Sequence, residues 1–378
     1  MKYIERQVCV ISQNHDLEQL YSFRDFPVFM GCSLKPETDD IKADMKWSIS
    51  RSSGLIQLSS LLPLDVLYPE AHGAGCVGGL WARHHKAFAN FIFHFKPESV
   101  FEIGGSHGIL AKEFHLQRQI PWTILEPNPT PVDGTCAKFI KGFFDEKFVY
   151  NDPFDAVVHS HVFEHIYEPD VFMGHLAIFI PEGKHLFFSI PNMRVMLERK
   201  YTNCINFEHT TFLTEPYVDY LLAKHGFCLL EKEYFMEDHS IFYSAKRDSS
   251  VKPIGLPKDL YEKNKNLYLD YVSYHENLIK ELNDKMSKVK NPVYLFGAHV
   301  FAQYLIAFGL DATRIVSLLD NDTNKQGKRL YGTSLIVNSP KVLKNIELPV
   351  VILKAGVYNN EIKEDIITNI NQNTIFWE

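Results

Sequence analysis

The chain has 378 residues, 46% of them hydrophobic and 13% aromatic, with a formal net charge of −7. That length allows two or three domains with full cores, and the negative balance leaves no polyanion-binding footprint, so nucleic acid is excluded as the main partner. No apolar run reaches the roughly 18 residues of a spanning helix, the start Met1–Gln7 has no secretory apolar region, and six cysteines are scattered without a Cys-x-x-Cys pair. The expectation is a reduced, cytoplasmic protein with no membrane segment.

In chain order, residues 1–70 read as a small irregular lobe, and residues 71–250 as a doubly wound α/β domain. Helical spacing begins near Trp81 and enters Ser99-Val-Phe-Glu-Ile-Gly-Gly-Ser-His-Gly108, followed by a helix and Thr-Ile-Leu-Glu126. A strand ending in glycines, a helix, and a second strand ending in a carboxylate form a βαβ unit suited to a ribonucleoside. Gly104, Gly105 and Gly108 let backbone approach the ligand, and Glu126 is placed to accept hydrogen bonds from ribose hydroxyls. The spacing departs from the G-x-G-x-x-G of dinucleotide sites, whose helix terminus seats a pyrophosphate. Glu102 inside the strand would repel phosphate but suits a cationic ligand, so S-adenosylmethionine is the expected cofactor, with Glu102 facing its methionine part.

Further strands are expected at 154–160, 185–190, 229–234 and 240–245. Ser160 and His161 fall at the end of the first of these, where a doubly wound sheet lines its ligand crevice, and His165 follows about one turn later. Glu208 and His209 stand adjacent on a loop before a helix at 215–224, as a general base and its orienting partner would. Pro253 and Pro257 mark a break, and residues 251–290 form a linker dominated by one amphipathic helix. Residues 291–378 open with Val293-Tyr-Leu-Phe-Gly297-Ala-His299 and reach Ile315-Val-Ser-Leu-Leu-Asp320, a second strand–glycine–helix–strand–acid unit, with a further strand at 350–354. The fold class is therefore α/β, with two Rossmann-like domains and a small N-terminal lobe.

These motifs, in this order and over nearly the whole chain, resemble the three-part sugar C-methyltransferases of deoxysugar biosynthesis. The resemblance is carried by Glu-Ile-Gly-Gly-Ser-His-Gly108, Ile-Leu-Glu-Pro127, Val162-Phe-Glu-His165-Ile, Glu208-His209 and Asp320-Asn-Asp-Thr-Asn-Lys-Gln-Gly-Lys328. It implies a class I S-adenosylmethionine domain between a zinc-binding lobe and a C-terminal Rossmann-like domain. By it, His165, Glu208 and His209 are active-site residues, with Glu208 and His209 as the base machinery. The turn Gly297-Ala-His299 and Asp320 would touch the nucleotide side of a nucleotide-sugar substrate.

Two departures matter. The family's paired zinc cysteines read here as Cys9 and Ser12, then Ser50 and Ser53. One thiolate cannot hold a structural tetrahedral zinc, so no metal is expected. The family tyrosine three residues before the catalytic histidine is Asn206, expected to face substrate, and its tyrosine-rich segment is replaced by residues 69–79. With those phenols gone, methyl transfer to a sugar hydroxyl or another small polar substrate stands beside carbon methylation. A catalytically dead nucleotide-sugar binding protein is the rival from another class. Oligomeric state is not legible.

Overall fold

The computed structural model describes residues 3–67 and 79–378. The replaced segment at 69–79 lies, but for its last residue, outside them. The chain packs as two compact units, the first made of residues 1–18, 49–196 and 208–264, the second of 19–48, 197–207 and 265–378. The N-terminal 70 residues are thus shared between both units.

The first unit is built on a seven-stranded sheet. In chain order its strands are β1 (Val100–Ile103), β2 (Trp122–Glu126), β3 (Lys138–Lys141), β4 (Ala156–Ser160), β5 (His185–Pro191), β6 (Phe227–Phe235) and β7 (Ser240–Arg247). They lie side by side in the order β6-β7-β5-β4-β1-β2-β3. β4 runs parallel to both β1 and β5, while β7 is antiparallel to β5 and β6. The order reverses between β1 and β4, which is the switch point where a doubly wound sheet opens its ligand crevice. The central strands are buried along all but one end residue of β4 and of β5, as sheets covered on both faces require.

Helices α1 (Gly79–His94) and α2 (Ile109–His115) cover one face, with Phe88, Phe91, Ile92, Leu110 and Phe114 packed on Val100, Trp122, Ile124, Val158 and Phe187. Helices α3 (Pro169–Phe179) and α4 (Glu215–Lys224) follow β4 and β5. Strand β3 is absent from the sequence reading. Its four residues are exposed or half-buried at the sheet edge, so they carry no apolar run to find.

Cys9, Ser12, Ser50 and Ser53 converge in this unit. Cys9 is fully buried and its Sγ lies 3.1 Å from Ser53 Oγ, while the Ser12 backbone N–H points at the sulfur from 3.5 Å. Ser53 N–H donates to Ser50 Oγ at 3.2 Å, and that hydroxyl donates to Asp16 at 2.8 Å. Hydroxyls and one thiol therefore hold the paired turns by hydrogen bonds.

The second unit contains a five-stranded parallel sheet: β8 (Val293–Phe296), β9 (Ile315–Leu319), β10 (Val337–Asn338), β11 (Val350–Leu353) and β12 (Ile375–Trp377), in the order β10-β9-β8-β11-β12. The helix α5 (Leu260–Lys288) delivers Leu278, Ile279, Leu282 and Met286 to its core. Residues 19–48 belong here too: Phe23 and Phe26 pack edge-on and tilted against Tyr304 of helix α6 (Val300–Ala307), and Arg329 grips Asp40 with two bonds of 2.6 and 2.7 Å. Such a bidentate, nearly buried pair fixes geometry strongly. Among the described residues no helix is long and apolar enough to cross a membrane.

Candidate functional site

The turn between β1 and α2 is tight, with its glycines packed directly against neighbouring side chains. Gly104 and Gly108 take positive φ angles of 73° and 70°, which glycine adopts without strain. A Cβ on Gly104 would meet Val162 Cγ2 at 2.7 Å, and one on Gly105 would meet Glu102 Cδ and Ile124 Cγ2, both at 2.7 Å. The carboxylate of Glu126 at the end of β2 closes this turn. One oxygen accepts from Ser106 N–H and the other from Asn128 N–H, both at 3.0 Å.

Glu102 is placed differently from the expectation that it faces the ligand. It is 2% exposed and accepts a 2.7 Å hydrogen bond from the Trp122 indole. Burial drives its pKa up to about 7 against the opposing pull of that bond. Glu102 therefore supports the turn from beneath, filling the space a Gly105 side chain would need.

The strand end of β4 leads directly over this turn. Ser160 Oγ bonds Ser189 Oγ of β5 at 2.8 Å. His161 has a φ of 52°, rare for a residue with a side chain, and its N–H donates to the Ser189 carbonyl. Val162, which meets Gly104, then carries the chain into a short turn, Phe163–His165. The His165 ring sits 4.8 Å from that of His209, edge to face, and Glu164, His165 and His209 bring ligating atoms within 4.8 Å of one another. So two loops far apart in sequence meet at their histidines. Glu208 is 8% exposed beside His209.

Both loops are tied down by Arg6, which the sequence reading passed over. Its guanidinium donates to the Thr210 carbonyl at 3.1 Å, to Thr210 Oγ1 at 3.2 Å, and to the Tyr167 carbonyl. Burial lowers its pKa to about 10, still charged at neutral pH. Leu58 N–H adds a bond to Thr210 O, so the N-terminal lobe buttresses the loop of His209. Asn206 is buried but belongs to the segment 197–207 of the other unit.

In the second unit the same turn recurs. Gly297 has a φ of 99°, Ala298 N–H donates to Asp320 Oδ2 at 2.9 Å, and Asp322 N–H donates to Oδ1 at 2.9 Å. Lys325 pairs with Asp320 at 3.0 Å. His299 begins α6 in extended geometry. Each expected glycine–acid pair is thus a closed structural unit.

Residues 78–232 match a protein-family model described as a methyltransferase domain. No curated protein matches the sequence. Among solved structures, the chain is similar to an O-methyltransferase family protein from Burkholderia thailandensis, with 13% identity, TM-score 0.36, and coverage of 44% of this chain and 56% of that one. It is also similar to magnesium protoporphyrin IX methyltransferase from Synechocystis with bound S-adenosylhomocysteine, at 14% identity and TM-score 0.37, covering 47% and 90%. A third is the N-methyltransferase NodS from Bradyrhizobium japonicum with the same product bound, at 11% identity and TM-score 0.37, covering 47% and 92%.

Proposed function

We propose that this chain, an S-adenosylmethionine-dependent methyltransferase by its central domain, methylates a nucleotide-activated sugar with His209 as general base. The observation that carries this reading is the meeting of His209 with His165, whose own loop lays Val162 over the glycine turn at Gly104. The glycine turn is the proposed seat of the cofactor, and Glu126 beside it offers acceptor-only oxygens suited to ribose hydroxyls. When bound, S-adenosylmethionine supplies an activated methyl carbon on sulfur. His209 takes the proton from the acceptor, Glu208 orients the imidazole, and His165 holds the acceptor for in-line approach. The proton ends on His209, the new bond runs from acceptor to methyl, and the old bond's electron pair stays on sulfur.

Support for the sugar reading comes from the ordered motifs and from the paired turns at Cys9, Ser12, Ser50 and Ser53, which we read as a hydroxylated remnant of a zinc site. The Gly297–His299 turn with Asp320 is proposed to take a nucleotide. Asn206 favours a second reading. With no phenol there to stabilise an enolate, a sugar hydroxyl is the alternative acceptor to carbon. Incubating nucleotide-sugars with labelled methyl donor and locating the methyl by NMR separates the two. His209→Ala should lower turnover by about a hundredfold or more with cofactor affinity unchanged; near-normal turnover would remove His209 from the chemistry.

A further inference from the structure

Three imidazoles that no step above uses as a group meet at one point of the first unit. His84 lies on the buried stripe of α1, one turn before Phe88. It is fully buried, and neither ring nitrogen has a hydrogen-bond partner. His161 leaves β4, and His239 sits in the turn between β6 and β7. One nitrogen from each lies within 4.8 Å of the others. Trp81 caps the group, its ring 5.2 Å from His84, 4.9 Å from His161 and 5.1 Å from His239.

A carboxyl group and a hydroxyl lie against the group. Glu164 Oε1 lies 2.9 Å from His161 Nδ1, and Ser240 Oγ lies 2.8 Å from His161 Nε2 and 2.6 Å from His239 Nδ1. No hydrogen bond joins Glu164 to His161, and the single Ser240 hydroxyl proton bridges His161 and His239 without fixing either tautomer.

We propose that His84, His161 and His239 bind one divalent transition-metal ion of the zinc type. Three neutral imidazoles without a ligating carboxylate suit zinc, cobalt or nickel rather than magnesium or calcium, which take oxygen ligands. Three protein ligands leave a fourth position for water or an acceptor oxygen. The neighbouring group of Glu164, His165 and His209 is the weaker candidate, because both histidines have other partners. This assignment departs from the metal-free expectation of the sequence, and it stands whichever acceptor the enzyme methylates.

The test uses the full chain, stripped by chelator and titrated with Co2+ alone, then with Zn2+ in competition, by visible absorption and equilibrium dialysis. One ion per chain is expected, without the near-ultraviolet sulfur bands that Cys9 ligation would give. His84→Phe and His239→Gln should each weaken binding by about a hundredfold or more, with His209→Ala near wild type. If His84→Phe fails to fold by circular dichroism, the half-buried His239 variant decides. Absence of binding, equal affinity in the His239 variant, or loss confined to His209→Ala would each overturn the proposal.

Discussion

Glu102→Gln removes a carboxyl that the fold keeps beneath the glycine turn, and its effect on stability should depend on pH. In the unfolded chain this carboxyl loses its proton near 4.5, whereas in the folded state burial delays the loss to about 7. Between those values the folded state binds more protons, so raising the pH destabilises the native protein. Below 4.5 both states are protonated and the penalty vanishes; above 7 it is complete. The shift is worth about 3 kcal/mol at roughly 1.4 kcal/mol per unit. Glutamine keeps an acceptor oxygen for the Trp122 indole but cannot ionise. The stability difference, variant minus wild type, should therefore rise by about 3 kcal/mol between pH 4.5 and 7.5. Urea midpoints measured for both proteins across that range report it, and the many buried histidines cancel in the difference. A difference flat to about 0.5 kcal/mol would refute the burial account of Glu102.

Gly105→Ala places a methyl 2.7 Å from Glu102 Cδ and Ile124 Cγ2. It should cost about 1.4 kcal/mol or more in S-adenosylmethionine binding, about tenfold, by calorimetry; unchanged affinity would mean the turn does not hold the cofactor. Arg6→Met leaves the Thr210 and Tyr167 carbonyls short of a charged donor. We expect a loss of about 2–3 kcal/mol in urea unfolding and a fall in kcat exceeding any change in cofactor affinity. Normal kcat would show that Arg6 does not position the histidine loops.

The glycine–acid units are legible because each is local: strand, turn, helix and acid follow within one stretch of chain, and the structure closes both with the same pair of backbone bonds. What the sequence could not show depends on distant segments. His84, His161 and His239 come from a helix, a strand end and a hairpin turn, so no spacing rule joins them. One local sign was present, a histidine on the apolar stripe of α1, four residues before Phe88. Arg6 was silent for the same reason, its partners lying beyond residues 160 and 200. Glu102 was located correctly in its strand, yet alternation gave no hint that Trp122 on the neighbouring strand would claim its carboxylate. Residues 19–48 look like part of one N-terminal lobe in sequence, but Asp40 and Phe23 pair with Arg329 and Tyr304.

The central claim is that the turn at Gly104–Gly108, closed by Glu126, seats S-adenosylmethionine. Titrating S-adenosylmethionine, and separately NAD, into the full chain and into Glu126→Ala tests it by calorimetry. The account predicts one S-adenosylmethionine site per chain, weakened about tenfold or more by Glu126→Ala, with no heat from NAD. Binding of NAD alone, or S-adenosylmethionine affinity indifferent to Glu126, would contradict it.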